Sequence, residues 1–150
     1  IFEPVDVVAH TLLEESIEPL LIGMELKNIT CTIQCATDIH FTVDRNWIKE
    51  AIVNIVKNCM EHNKGGTIYC TYGQNPLYTE IAIWDEGEGF AKEDIPHLFE
   101  RFYRGKNAGE GGIGIGLALA KEIIERQNGT IRAKNRPSGG ACFEIRIYSH

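Results

Sequence analysis

A chain of 150 residues, 43% hydrophobic and 24% charged, suits one soluble globular domain with a real core. Its net charge of −6 argues against a nucleic-acid surface, which carries a basic stripe, but not against a nucleotide, where a few local groups decide. No run of ~18 apolar residues could cross a membrane, and the opening IFEPVDVVAH lacks the basic and apolar regions of a secretory leader. The five cysteines (31, 35, 59, 70 and 142) form no CxxC pair and read as buried thiols in a reducing compartment.

Residues 2–5 are expected to be extended, with Pro4 limiting helix before it. Asp6 can cap a helix running to about Ile22, which Pro19 should kink or end. Ile29, Cys31, Ile33 and Cys35 alternate with polar residues, as in a half-buried strand. Phe41 and Val43 suggest a short extended piece, after which Asp44 caps a long helix. That helix, RNWIKEAIVNIVKNCMEH (45–62), repeats Ile48, Ile52, Ile55 and Cys59 at helical spacing. At ~100° per residue, Asn54, Asn58 and Glu61 share another face, beside His62. Asparagine is a mediocre helix former, because its amide competes for backbone hydrogen bonds. Two of them one turn apart read either as a solvated stripe or as carbonyl oxygens offered to a hard cation such as Mg2+.

Lys64-Gly65-Gly66 is a turn, and strands follow at 67–72 and 78–84 around a hairpin at 73–76. A helix from about Gly114 to Arg126 should end at Gly129 in a left-handed cap. Strands at 130–135 and 142–148 close the chain across Pro-Ser-Gly-Gly. The expected fold is an α/β two-layer sandwich: one mixed, mostly antiparallel sheet of about five strands with three helices on one face.

The stretch between strand and helix, 85–116, holds the chemistry. Asp85 at a strand end can accept a hydrogen bond from an exocyclic amine such as adenine's, while Gly87 and Gly89 let the backbone approach a flat ligand. In IPHLFERFYRG (95–105), Ile95, Leu98, Phe99 and Phe102 cluster, and Arg101 and Arg104 carry forks suited to phosphate. KNAGEGGIGIGLALAKEI (106–123) is a glycine-rich loop opening a helix, a site for polyphosphate and a potential lid. Each stretch alone also reads blandly: a tight turn, a satellite core, a surface loop. Neither a Walker P-loop nor a dinucleotide fingerprint is present.

Taken together, Asn54-xxx-Asn58, Asp85-x-Gly-x-Gly89, Phe99-Glu-Arg-Phe-Tyr-Arg104 and Gly112-x-Gly-x-Gly116-Leu-Ala resemble the N, G1, F and G2 boxes of bacterial sensor histidine kinases, in order and spacing. The resemblance covers the whole chain, as the catalytic ATP-binding domain with the Bergerat fold shared by DNA gyrase and mismatch-repair ATPases. It implies Mg2+ on Asn58, with Asn54 near the phosphates, and Asp85 on the adenine amino group, with Gly87 and Gly89 shaping the pocket. Arg104 and Arg101 would meet the terminal phosphate, and Gly112, Gly114 and Gly116 would close over it. Ile95, Phe102, Ile115, Leu117 and His62 would stand near the nucleotide.

The kinase implied binds ATP and Mg2+ and passes the γ-phosphate to a histidine in two-component signalling. None of the five histidines has the family's acceptor context. The resemblance therefore implies a dimerisation and phosphoacceptor region upstream of Ile1, a response regulator as partner, and a homodimer for the whole protein with this portion monomeric. This portion would be cytoplasmic whether or not the whole protein is membrane-anchored. Two departures stand out. Glu61 sits where the family often has Lys or Arg, with Lys57 or Lys64 available to compensate, and Ala141 replaces a hydroxyl residue in the last glycine turn. The rivals are an ATPase or serine kinase of the same fold, which would need Glu as a base at position 54, and an inactive nucleotide-binding module.

Overall fold

The computed structural model describes residues 1–34, 38–105 and 114–149. Its main sheet has five strands in the order β2 (Ile29–Gln34), β4 (Gly66–Gln74), β5 (Tyr78–Asp85), β7 (Ala141–Tyr148) and β6 (Gly129–Asn135). Only the β2–β4 pair is parallel; the other pairs are antiparallel. This is the mixed, mostly antiparallel sheet expected from the sequence. A second, two-stranded sheet pairs β1 (Pro4–Val8) with β3 (His40–Asp44), joining the two extended pieces at 2–5 and 41–43.

One face of the main sheet is covered by helices. In β4, Ile68, Cys70 and Tyr72 point inward; in β5, Ile81, Ile83 and Asp85 do the same. Their inward faces meet α3 (Arg45–Glu61), whose Ile48, Ile52, Ile55 and Val56 are fully buried. Each such side chain contributes ~1.5–3 kcal/mol by leaving water. Helix α4 (Gly116–Arg126) packs beside α3 and buries Ala120, Ile123 and Ile124. The outward alternation leaves Tyr69 and Trp84 stacked at 4.2 Å on the far face. Of the cysteines, Cys59, Cys70 and Cys142 are buried free thiols and Cys31 is half-buried; Cys35 lies outside the described residues.

Two local expectations are corrected, and a third, the break at Pro19, is met. The first helix, α1 (Ala9–Ile17), begins after Val8 with no side-chain cap. Asp6 instead lies in β1, where pairing with β3 keeps it extended, and its carboxylate meets His40 Nδ1 at 3.0 Å. Pro19 does interrupt the helix, through a short turn at 18–20, but helical structure resumes as α2 (Leu21–Leu26). Counting this interrupted segment once leaves three α-helices among the described residues. The left-handed residue after α4 is Asn128 (φ 61°), not Gly129. Gly129 already belongs to β6, and a Cβ there would meet the Arg146 carbonyl at 2.6 Å, so its glycine serves close approach rather than capping.

Candidate nucleotide site

The site is assembled at one end of the sandwich, where α3, the end of β5, the 95–105 segment and the start of α4 converge. Helix α3 is fixed first. Asp44 Oδ1 accepts from Trp47 N at 3.0 Å, the expected N-cap, and Oδ2 accepts from Glu3 N at 2.7 Å. With the helix phase set by its buried isoleucines, the other face carries Asn54, Lys57, Asn58, Glu61 and His62 onto one wall of an open cleft. The opposite wall holds Arg104, Gly114, Ile115, Gly116 and Leu117. A Cβ on Gly116 would stand 3.7 Å from Asn54 Oδ1, so the start of α4 lies close over that asparagine. Among the described residues, no side chain caps helix α4. Its first-turn N–H groups and positive dipole end therefore remain available to an anion.

The cleft continues into a smaller recess that shares Asn58, His62, Gly89 and Phe90 and has Asp85 and Ala141 in its lining. Asp85 is 3% exposed and is held by three donors. Its Oδ1 accepts from Gly87 N at 2.9 Å and Ala141 N at 3.2 Å; its Oδ2 accepts from Asn63 Nδ2 at 3.0 Å. Each carboxylate oxygen offers two acceptor positions, so one remains at Oδ2. The Ala141 position, which lacks a hydroxyl, thus contributes through its backbone. Arg136 braces the same corner: Nη1 donates to the Asp85 carbonyl at 3.1 Å and the guanidinium lies 3.9 Å over the Trp84 ring.

The turn after Asp85 has little room. At Gly87 a Cβ would meet Asn63 Oδ1 at 2.8 Å, and at Gly89 (φ +78°) it would meet Asn135 Oδ1 at 2.5 Å. Asn135 clamps the next residue from both sides, accepting from Phe90 N at 2.7 Å and donating to Phe90 O at 2.9 Å.

The 95–105 segment joins the site through two contacts. The Tyr103 hydroxyl donates to buried Asp94, and this bond, with some desolvation, pushes the Tyr103 phenol up to about 12. Phe102 takes a left-handed backbone (φ 65°) and its N–H donates to Gly114 O at 2.7 Å. Gly114, at φ +76°, would collide with that backbone if it carried a Cβ.

The structure therefore brings Asn54, Asn58, His62, Gly89, Arg104, Gly114, Ile115, Gly116 and Leu117 to one cleft, with Asp85 in its recess. It keeps four expected residues off the cleft wall. Gly87 acts one step back, through Asp85. Arg101 is exposed, the Phe102 side chain is 65% exposed, and Ile95 is half-buried in a short helical turn. Gly112 lies outside the described residues. Of the two lysines suggested to offset Glu61, Lys57 lines the cleft and Lys64 does not.

The residues missed by sequence reasoning are Asn63, Asp94, Tyr103, Asn135 and Arg136. Asn63 had a visible signal, lying at the end of the polar stripe of α3. The others reach the site only through tertiary packing.

The donor set fits Mg2+. Asn58, whose side chain carries an amide oxygen, lines the same wall as Asn54 and Glu61. No group of three or more His, Cys, Asp or Glu residues forms a metal cage among the described residues. Mg2+ takes few protein ligands and keeps water and phosphate oxygens, so such a sparse set suits it.

Fold and cleft define a two-layer α/β sandwich of Bergerat type, with a polar and glycine-lined cavity at one end. A family model described as "Histidine kinase-, DNA gyrase B-, and HSP90-like ATPase" matches residues 43–149, and the chain belongs to that family. It is 36% identical over 110 residues to the sensor histidine kinase YvrG of Bacillus subtilis, covering 71% of this chain and 19% of that protein. It is 33% identical over 157 residues to the sensor protein SphS of Synechococcus elongatus, covering 97% of this chain and 37% of that protein. The chain thus spans well under half the length of these relatives. Among solved structures, the mycobacterial sensor histidine kinase MprB superposes with a TM-score of 0.84 at 24% identity, covering 97% of both chains. The catalytic domain of histidine kinase ThkA gives 0.83 at 24% identity, covering 98% of both; ThkA has also been solved in complex with the response regulator protein TrrA. At these identities the likeness shows the fold.

Proposed function

We propose that this domain binds Mg-ATP and presents the γ-phosphate to a histidine carried by a separate dimerisation domain, as the catalytic part of a sensor histidine kinase. The observation that carries the reading is the Asp85 recess. A buried carboxylate holds three protein donors and keeps one acceptor position at Oδ2, which suits the exocyclic amine of adenine. From that recess the cleft runs past Asn58 to Arg104 and the uncapped start of α4. A ligand with its base on Asp85 would extend its phosphates along this path.

The roles follow from placement. Asn58 would hold Mg2+ through its amide oxygen, and the cation would neutralise phosphate charge. Arg104 would bind the terminal phosphate, while Gly114 and Gly116 allow the backbone to approach it. His62 would stand beside the nucleotide. Asn54, close under Gly116, is an amide and cannot remove a proton from water or a serine hydroxyl. Imidazole needs no such base, because its neutral nitrogen is already nucleophilic. The domain's contribution is positioning and charge neutralisation. The partners proposed are the upstream phosphoacceptor domain and a response regulator.

The test combines the chain with radiolabelled ATP, alone and with a dimeric helical phosphoacceptor domain from a related sensor kinase. Label should appear on the acceptor's histidine and require Asn58, with negligible release of phosphate by the chain alone. Robust hydrolysis without any acceptor would instead favour an ATPase.

A further inference from the structure

Glu61 is placed against its own charge. It is the last residue of α3, where the helix dipole is negative, and that helix has no basic residue in its last turn. It lines the cleft together with Asn54, Asn58 and Arg104. Lys57, one turn earlier on the same wall, forms no ion pair with it. Among the described residues, Glu61 has no ion-pair or hydrogen-bond partner at all. A carboxylate beside a phosphate path repels the ligand unless a cation stands between them.

The spacing supplies a use for that charge. Asn58 and Glu61 are three residues apart on one helix, so their side chains are neighbours. Helices use the same spacing to offer two side chains to one metal ion. An amide oxygen, a carboxylate oxygen, phosphate oxygens and water together meet the octahedral demand of Mg2+.

We propose that Glu61 is a second protein ligand, beside Asn58, for the divalent cation that accompanies the nucleotide, so that the cleft accepts the metal–nucleotide complex and rejects the free nucleotide. This rests on the nucleotide-binding reading above and adds a selectivity to it. With the metal present, the carboxylate binds the cation; without it, the same carboxylate repels the phosphates.

The test measures ADP affinity by calorimetry, once in Mg2+ and once in EDTA, for the wild-type chain and for Glu61→Gln. Glutamine keeps the shape and removes the charge at an exposed position, so the fold should persist. The wild-type ratio of affinity with Mg2+ to affinity without it should exceed the Glu61→Gln ratio by about tenfold or more. Both halves should move: Glu61→Gln binds Mg-ADP more weakly and metal-free ADP more tightly. Electron paramagnetic resonance of Mn2+ titrated into the ADP complex should show the same loss of metal affinity. Glu61→Lys should bind metal-free ADP more tightly than wild type. If only the metal-free affinity changes, Glu61 repels anions without ligating metal and the proposal is overturned. Equal ratios in wild type and Glu61→Gln would also overturn it, leaving the nucleotide reading intact. No binding of Mg-ADP by wild type would remove that reading and this one with it.

Discussion

The side-chain amide of Asn63 donates at once to the buried Asp85 carboxylate, at 3.0 Å, and to the Cys59 carbonyl, at 2.6 Å. One side chain thus ties the end of α3 to the end of β5, the two elements that carry the proposed metal and base contacts. Truncating it leaves two buried acceptors short of a donor. Asn63→Ala should lower stability by about 1–3 kcal/mol in chemical denaturation. It should also weaken ADP binding in calorimetry, because the Asp85 carboxylate loses the donor that orients Oδ2. Unchanged ADP affinity in a destabilised variant would show that Asp85 is oriented by the Gly87 and Ala141 N–H groups alone.

Gly139 and Gly140 form an internal control. Both are left-handed, at φ +102° and +99°. A Cβ on Gly139 would meet nothing within 4 Å, while one on Gly140 would fall on the Asp85 carbonyl. Gly139→Ala should therefore cost only backbone strain, about 1–2 kcal/mol. Gly140→Ala should cost that strain and a further ~1–3 kcal/mol of overpacking, and should displace the recess. Thermal unfolding of the pair checks the difference; equal losses would mean that the turn shifts away from Asp85 without penalty.

The Tyr103–Asp94 bond has a pH signature. The phenol is raised from its ordinary value of 10.0 to about 12, mainly because Asp94 favours the protonated form. A group whose value is higher in the folded state stabilises fully below its unfolded value and loses that contribution as pH rises through the folded one. The wild-type chain should therefore be more stable than Tyr103→Phe at pH 8, with the gap closing between about pH 10 and 12. Melting temperatures across that range test this. Phe keeps the ring that stacks on His97 at 5.2 Å, so a gap independent of pH would show that the hydroxyl's titration is not linked to folding.

What could be read from the sequence depended on how local the determinant was. Helix α3 was legible because its apolar spacing, its Asp44 cap and its off-phase asparagines all lie within one stretch. The β4–β5 hairpin was legible for the same reason: Asn75 Oδ1 accepts from Leu77 N and Tyr78 N, a turn written in adjacent residues. Asp6 misled because it is a good cap residue, and only the long-range pairing of β1 with β3 shows that it is held extended. Gly129 misled because glycine suits either a left-handed cap or a close approach; the cap went to Asn128, and the Arg146 carbonyl decided the rest. In the site, the resemblance gave Arg104 the terminal phosphate first and Arg101 second, while both project from one short segment of the sequence. The turn at Phe102, pinned by Gly114 O, separates them, leaving Arg104 on the cleft wall and Arg101 off it. The supports from Asn135 and Arg136 come from β6 and the turn after it, with no sequence pattern linking them to Asp85.

The most direct test of the account is calorimetry of ADP and a non-hydrolysable ATP analogue with the wild-type chain, Asp85→Asn and Asn58→Ala, with and without Mg2+. The account predicts micromolar to millimolar binding by wild type. Asp85→Asn should weaken it by at least about tenfold, a loss of ~1.4 kcal/mol, and Asn58→Ala should remove most of the Mg2+ dependence. Wild-type binding that both variants leave unchanged, or no binding at all, would contradict it.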